Sequence, residues 1–179
     1  GSRAVIYRVA ATTLEVHEQF EVADHVGAIV KDRQTGHLVT TSWGSRQLAE
    51  WNLQGRRLRT WANPGLFIDY QDCQYASTSM ILCAGVTHLP QMPSAGGQLE
   101  RSERGPYELG GISLVDIPRQ RVVHEIPFQK WSSGGHVATR NPFSMRADGD
   151  HLTIRVAPDD GDDAHGTEIL TYEATVPGA

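Results

Sequence analysis

The chain of 179 residues is 39% hydrophobic and 21% charged, which gives enough apolar content for a buried core and predicts no membrane span. A net charge of -5 and a pI near 5.9 argue against nucleic acid as a partner, because no basic stripe is present to displace counterions from phosphates. The 18 glycines and 9 prolines are typical of a turn-dense all-β protein. We expect a soluble domain that is either cytoplasmic or secreted.

The first predicted elements are the last two strands of an incomplete repeat unit. Tyr7-Arg8-Val9 places an aromatic, a polar and an apolar residue in order, and a second strand is predicted at residues 14–16. Related triplets, each starting with an aromatic or branched residue, recur at residues 51–53, 115–117 and 172–174. Recurrence of one strand pattern along a chain indicates a repeat architecture.

Residues 23–65 form one complete unit. Four strands are predicted near residues 25–30, 37–43, 47–53 and 56–61, and turn residues separate them. Four short antiparallel strands within about 40 residues are the signature of a β-propeller blade. An ordinary β-sandwich with similar hairpins is the alternative, since short strands and turns occur in both folds.

A second complete unit spans residues 66–130. Its innermost strand is predicted at residues 67–75 and the next at 79–86, with a turn near residues 77–78. An insertion at residues 86–107 joins its second and third strands, and we expect this loop over the mouth of a central channel. Cys73 and Cys83 fall opposite each other across the turn, so a disulfide is geometrically feasible, but two buried thiols that pack as small hydrophobic residues are the favoured interpretation.

The predicted fold class is an all-β propeller of four-stranded antiparallel blades, as part of a six-bladed ring. A partial blade covers residues 1–22, full blades cover 23–65 and 66–130, and a partial blade covers 131–179. An open arc exposes strand edges that invite association. The remaining blades are supplied by a missing segment or another chain, or the chain forms a four-bladed ring, or two arcs close as a dimer. We favour the first, because the sequence starts and stops within a blade.

Polar residues are predicted to converge on one face of this arc. The innermost strands are expected to begin at residues 24–25, 69–72 and 135–136, on the same face as the connections between second and third strands. Ligands of such rings commonly sit at this mouth. The predicted ligand-binding residues are Asp24, His25, Trp43, Arg46, Asp69, Gln71, Asp72, His136 and Asn141.

Three of these residues are also candidates for chemistry. Neutral imidazoles beside a carboxylate can bind a divalent cation such as calcium or zinc, or act as acid and base. His25, Asp72 and His136 are therefore the metal candidates, and the two histidines are the catalytic candidates. Each histidine alone is more often a core or turn residue, and no HExxH, CxxC or His-x-His spacing supports a metal. The acidic run at 159–163 lacks the ligand order of a calcium loop, which favours a solvated loop.

Several motifs carry a family resemblance that spans nearly the whole chain. Tyr7-Arg8-Val9, the stretches 22–27, 42–46 and 69–75, and Leu109-Gly110-Gly111 resemble the C-terminal part of an uncharacterised family of bacterial six-bladed propeller proteins. That resemblance implies further blades on the N-terminal side. In architecture the chain is more remotely similar to gluconolactonase- and regucalcin-like propellers, which implies hydrolysis of lactones or phosphoesters around a channel calcium. Only one of the metal ligands of those enzymes has a candidate position in this sequence, namely Asn141.

Two functions follow from these patterns. The first is a ligand- or partner-binding propeller whose channel mouth holds a small polar molecule or a partner loop. The alternative is a metal-assisted lactone or ester hydrolase, in which a cation polarises a carbonyl and an imidazole serves as base. We favour the first, because the sequence contains no complete catalytic constellation.

Overall fold

The computed structural model of the chain describes residues 2–93, 96, 98–100, 107–158, 166 and 168–175. Every regular element in this part of the chain is a β-strand, as the composition predicts. No helix among these residues has the length and apolar character needed to cross a membrane. The strands are β1 (Ala4–Val9), β2 (Val16–Val22), β3 (Val26–Lys31), β4 (Leu38–Ser42), β5 (Gln47–Trp51), β6 (Arg57–Ala62), β7 (Asp69–Ser77), β8 (Met80–Leu89), β9 (Met92–Pro93), β10 (Leu99–Glu100), β11 (Tyr107–Asp116), β12 (Arg121–Pro127), β13 (Phe143–Asp148), β14 (His151–Val156) and β15 (Leu170–Thr175).

The strands form antiparallel sheets, each built from strands that are close in the sequence. The two four-stranded sheets have the orders β3-β4-β5-β6 and β12-β11-β8-β7. A three-stranded sheet β13-β14-β15, the pair β1-β2 and the small hairpin β9-β10 complete the described part. The all-β prediction is confirmed, and the described residues do not form the two stacked sheets of a sandwich.

Apolar clusters join the larger sheets face to face, in chain order. Val22 and Trp51 belong to the cluster between β1-β2 and the sheet β3–β6. Leu48 and Ile81 belong to the next cluster, between the sheet β3–β6 and the sheet β7–β12, and Phe143 belongs to the last one, against β13–β15. Burial of each large side chain stabilises the stack by about 1.5–3 kcal/mol. Consecutive four-stranded sheets that stack in this way are typical of propeller blades.

The innermost strands of the stack lie next to one another. Strand β3 packs against β7, and β7 also contacts β13. At Gly27 of β3, an added Cβ atom would lie 2.6 Å from the backbone oxygen of Tyr70, so the two strands approach too closely for a side chain at that position. Within the described residues the series of sheets is open, because neither β1 nor β2 packs extensively against β13, β14 or β15.

The structure corrects two strand boundaries. The innermost strand of the last sheet begins at Phe143 and not near His136, because residues 132–136 form a tight turn in which the Ser132 N–H donates to the backbone oxygen of His136 at 2.9 Å. Strand β2 begins at Val16, since Leu14 occupies a turn with a φ of 60°. His136 therefore does not occupy the position of His25, which directly precedes β3.

The β7–β8 hairpin has the predicted register. Cys73 pairs with Cys83 across the two strands, their Cα atoms are 4.1 Å apart, and the two sulfur atoms form a disulfide. This disulfide uses both cysteines of the chain, so the favoured interpretation of two buried thiols is wrong for this structure. The disulfide lies in the cluster between the two four-stranded sheets and fixes the innermost hairpin of the second sheet.

We expect reduction to destabilise this hairpin. The denatured chain should give no thiol titration before reduction and two thiols per chain afterwards. Closure of a short loop constrains the unfolded chain, so reduction should lower the free energy of unfolding by roughly 2 kcal/mol in a urea titration. A double variant with Cys73→Ala and Cys83→Ala is the control, and its stability should not respond to reductant. Free thiols in the unreduced protein would contradict the pairing.

Candidate functional site

The predicted site residues lie mainly at one end of the sheets. We call this end the upper rim and define it by the segments that precede innermost strands, residues 23–25, 63–69 and 128–142, and by the turns or strand ends between second and third strands, residues 43–46, 88 and 108. Antiparallel strands alternate in direction, so these segments all emerge on the same side of the stack. The residues 159–163 also belong to a connection between second and third strands, but they lie outside the described residues.

Asp69 is the most unusual group on the upper rim. It begins β7, is 9% exposed, and its Oδ2 accepts a hydrogen bond of 2.8 Å from the Gly44 N–H in the β4–β5 turn. Its Oδ1 is buried and accepts no hydrogen bond within the described part of the chain. Burial raises the pKa of Asp69, the nearby Asp24 carboxylate adds to the rise, and the Gly44 N–H and the Arg46 guanidinium oppose it.

Asp24 lies beside Asp69 and is better satisfied. Its Oδ2 accepts a 2.7 Å hydrogen bond from the Ser45 hydroxyl, and its Oδ1 accepts one of 2.8 Å from the His25 N–H. Partial burial alone would raise the pKa of Asp24, but these hydrogen bonds outweigh it and lower the pKa. The two carboxylates therefore differ: the environment of Asp24 favours its charged form, whereas the environment of Asp69 disfavours its charged form.

Arg46 holds the rim together. Its guanidinium donates to the backbone oxygen of Gly65 at 2.9 Å and to that of Phe67 at 3.5 Å, which fixes the segment before β7 against the β4–β5 turn. The Asn63 N–H also donates to the Arg46 backbone oxygen at 2.8 Å. Arg46 was predicted to bind a ligand, but its guanidinium is already used to hold the segment before β7.

A second group of rim side chains extends from Trp43 through His88 and Glu108 to Arg140. The Trp43 ring meets the His88 imidazole edge to face, with 5.7 Å between the centroids. The Nε2 atom of His88 lies 2.9 Å from a carboxylate oxygen of Glu108, and that same oxygen lies 3.8 Å from the guanidinium of Arg140. Sequence reasoning did not single out His88 and Glu108. They could have been found from the pairing of β8 with β11 on either side of the insertion, because that register places these two residues opposite each other.

Asp72, a predicted metal and ligand residue, has a structural role. Its Oδ2 accepts a 3.0 Å hydrogen bond from the Phe143 N–H on the inner edge of β13. Gln74, two residues on, exchanges two 3.0 Å hydrogen bonds with the backbone N–H and oxygen of Met145. Burial raises the pKa of Asp72, and the Phe143 and Cys73 N–H groups oppose the rise. Gln71, between Tyr70 and Asp72 at a bulge in β7, makes no such contact within the described residues.

The remaining predicted residues are not gathered into one cluster. His25 is exposed, and its backbone oxygen accepts from the Trp43 N–H at 2.8 Å. His136 lies in the turn at 132–136, where its N–H donates to the Ser132 hydroxyl at 3.2 Å. Asn141 donates from its side-chain amide to the Pro158 backbone oxygen at 2.9 Å. The structure thus brings Asp24, Asp69 and Arg46 together with His25 next to Asp24, and it places His136 in a separate turn.

The predicted metal centre does not fit these side chains. In the part of the chain that the structure describes, no group of three or more His, Cys, Asp or Glu side chains is arranged to hold a metal ion. Asp72 is engaged with β13, and the positional match between His25 and His136 is lost. The donor set that a gluconolactonase-like calcium would need is therefore not assembled among the described residues.

Comparison with protein families gives one match that covers the whole site. A model described as a family of unknown function (DUF6454) matches residues 1–177. The chain belongs to the DUF6454 family. A comparison with curated proteins gave no match.

Solved structures give weaker likenesses to this DUF6454 chain. Hydrazine synthase of Kuenenia stuttgartiensis is 11% identical, with a TM-score of 0.47 over 93% of this chain and 55% of that one. Acylaminoacyl peptidase of Pyrococcus horikoshii is 10% identical, with a TM-score of 0.47 over 88% of this chain and 26% of that one. The β-propeller domain of Myceliophteria thermophila Cps50 (Swd1) is 9% identical, with a TM-score of 0.36 over 96% and 66%. The chain spans about half or less of the first two proteins, and likenesses at this level carry no functional information.

We expect Asp72 to matter for stability. Asp72→Ala leaves the Phe143 N–H without its acceptor and should lower the free energy of unfolding by about 1–3 kcal/mol, whereas Asp72→Asn keeps an acceptor oxygen and should cost less. Gln71→Ala is the matched control on the same strand. Urea unfolding measures all three variants. Equal stability of Asp72→Ala and the wild type would contradict the role assigned to this side chain.

Proposed function

We propose that the chain is part of a β-propeller binding protein whose upper rim holds a small polar molecule or a partner loop through Asp24 and Asp69. The observation that carries this proposal is the buried Oδ1 of Asp69, which accepts no hydrogen bond within the described residues. Leaving a buried acceptor unsatisfied costs roughly 1–3 kcal/mol. Groups kept at such a cost, with a raised pKa, are concentrated at binding and catalytic sites.

The charges of the rim indicate the chemistry of the ligand. Two carboxylates lie close enough for the charge of Asp24 to raise the pKa of Asp69, and the guanidinium of Arg46 is directed to backbone oxygens. A cationic group or a set of N–H donors would relieve this repulsion and satisfy Oδ1. We therefore propose that the ligand or partner loop presents an ammonium or guanidinium group to Asp24 and Asp69.

The series of stacked sheets supports the assignment of this chain to part of a larger propeller. We assign residues 1–22, 23–65, 66–130 and 131–179 to successive blades of a six-bladed ring. The face-to-face stacking of their sheets supports this assignment. No specific observation favours a hydrolase, so we do not propose the alternative activity.

We expect Asp69→Asn to leave the fold stable at neutral pH. The side-chain oxygen of the introduced asparagine can still accept from the Gly44 N–H, and the substitution removes a buried charge. Because the folded pKa of Asp69 is raised, the contribution of this group to stability is fully present at low pH and is lost as the pH rises through that pKa. The variant should therefore match or exceed the wild type in urea unfolding at pH 7. A clear loss of stability at pH 7 would mean that the charge is needed by the fold.

We expect the same variant to lose binding of a cationic probe. Titration of N-acetyl-arginine amide into the labelled protein should shift the Gly44 and Ser45 amides, since Asp69 Oδ1 is covered and binding must displace the 43–46 turn. N-acetyl-glutamate amide should cause no such shift. Asp69→Asn should weaken the response at least about tenfold, which corresponds to loss of one charged hydrogen bond.

The matched control is Asp148→Asn, an exposed carboxylate at the end of β13 away from the upper rim. It should bind the arginine probe like the wild type. Equal binding of both probes, or an unchanged response in Asp69→Asn, would overturn the proposed site.

A further inference from the structure

Three polar side chains meet between the two four-stranded sheets, apart from the Asp24 and Asp69 carboxylates. Tyr70 on β7 and Ser113 on β11 are both 0% exposed, and Glu125 on β12 is paired directly with Ser113. The Tyr70 hydroxyl, the Ser113 hydroxyl and the Glu125 Oε1 atom are buried, and none of them has a hydrogen-bond partner in the described part of the chain. Buried polar atoms in a native protein normally have partners, so this cluster needs an explanation.

The behaviour of Tyr70 shows that the three groups are neighbours. Burial raises the pKa of Tyr70 to about 12, the Ser113 hydroxyl opposes the rise, and the Glu125 carboxylate adds to it. The phenol and the Ser113 hydroxyl are therefore close, although they make no hydrogen bond of acceptable geometry. The strand order β12-β11-β8-β7 means that the phenol extends over β8 toward β11. Tyr70 remains a neutral hydroxyl, which can both donate and accept.

The connection from β6 to β7 covers this cluster. We call residues 63–68 the strap. The Leu66 N–H donates to Glu125 Oε2 at 2.8 Å. At Gly65, an added Cβ atom would lie 2.8 Å from the Tyr70 hydroxyl oxygen, so only backbone fits above this hydroxyl. The Leu66 side chain projects away from the cluster and is 89% exposed. The strap thus seals the polar atoms and leaves one apolar side chain unpacked.

A groove outside the strap leads to the same carboxylate. It has a volume of about 460 Å³ and is lined by Pro64, Leu66, Gln120, Arg121, Val122 and Glu125. All of these residues belong to the strap, to β12 or to the turn before it, and none lies at an open end of the series of sheets. A water molecule fills only about 30 Å³, so water at the cluster would leave the apolar part of this groove without an occupant.

We propose that the strap and the groove bind a small molecule with a hydroxyl group on an apolar body. The ligand hydroxyl donates to Glu125 and accepts from Tyr70 or Ser113, and the apolar body lies against Leu66 and Val122. A hydroxyl suits this set, because Tyr70 and Ser113 each carry a donor as well as an acceptor, whereas an ammonium group can only donate. The Leu66 N–H releases Glu125 as the ligand enters, so the Leu66 amide reports on binding.

The test uses cyclohexanol as the probe and cyclohexanone as its matched control. The ketone has nearly the same size and can accept a hydrogen bond, but it has no hydrogen to donate to Glu125. Amide shifts of the 15N-labelled chain are followed at Leu66 and Val122. We expect cyclohexanol to give a saturable shift at both amides, and cyclohexanone to bind at least about tenfold more weakly, since it cannot make a hydrogen bond to a charged group.

Variants of the cluster locate the bound hydroxyl. Glu125→Gln keeps an acceptor for the Leu66 N–H but offers its own amide to the two hydroxyls, and it should weaken cyclohexanol binding at least about tenfold. Tyr70→Phe should weaken it about two- to tenfold, with an unchanged unfolding midpoint in urea because the lost hydroxyl has no partner. Glu173→Gln is the control, since Glu173 is an exposed strand glutamate on β15. Circular dichroism confirms that each variant folds.

Three results would overturn the proposal. Equal binding of the alcohol and the ketone would mean that only the apolar surface of the groove is used. No saturable shift with either compound would leave the buried atoms to water. Equal binding of cyclohexanol by Glu125→Gln and Glu173→Gln would place the probe elsewhere. Asp69→Asn should bind cyclohexanol like the wild type, so this site and the proposed function of the upper rim can fail independently.

Discussion

The structure depends on β7, the strand that holds a neighbouring sheet on each face. On one side it packs so closely on β3 that Gly27 has no room for a side chain. On the other side Asp72 and Gln74 supply hydrogen bonds to the inner edge of β13, which has no strand partner there among the described residues. Hydrogen bonds from side chains thus take the place of backbone-to-backbone hydrogen bonds at this edge of β13. The disulfide at Cys73 fixes β7, the strand that carries these side chains.

The same strand positions the candidate site. Asp69 begins β7, so the packing of β7 on β3 brings its carboxylate under the β4–β5 turn and next to Asp24. Arg46 then ties the segment before β7 to that turn. One buried carboxylate oxygen of Asp69 is left without a hydrogen bond in the described part of the chain. Because the β4–β5 turn covers this oxygen, a ligand that satisfies it must displace the turn, so the candidate site opens on binding.

Local sequence patterns predicted much of the fold but less of the site. Strands β3 to β8 follow from apolar runs between turn residues, and the pairing of Cys73 with Cys83 follows from their distance to one turn. The role of Asp72 could not be predicted, because its partner is a backbone N–H 71 residues away. The predicted strand start at residues 135–136 was wrong, because residues 132–136 form a turn that Ser132 closes and the strand begins only at Phe143. Asp24 and Asp69 were selected by position, and their different pKa shifts depend on contacts that only the folded chain makes.

Hydrogen exchange at the inner edge of β13 tests the central claim most directly, namely that β7 binds its neighbour through side chains. If the sheets stack about β7, the Phe143 and Met145 amides are protected in the native protein although no strand pairs with that edge in the described residues. Their protection should fall selectively in Asp72→Ala and in Gln74→Ala, respectively. Exchange of both amides at the rate of exposed backbone in the wild type would contradict the account.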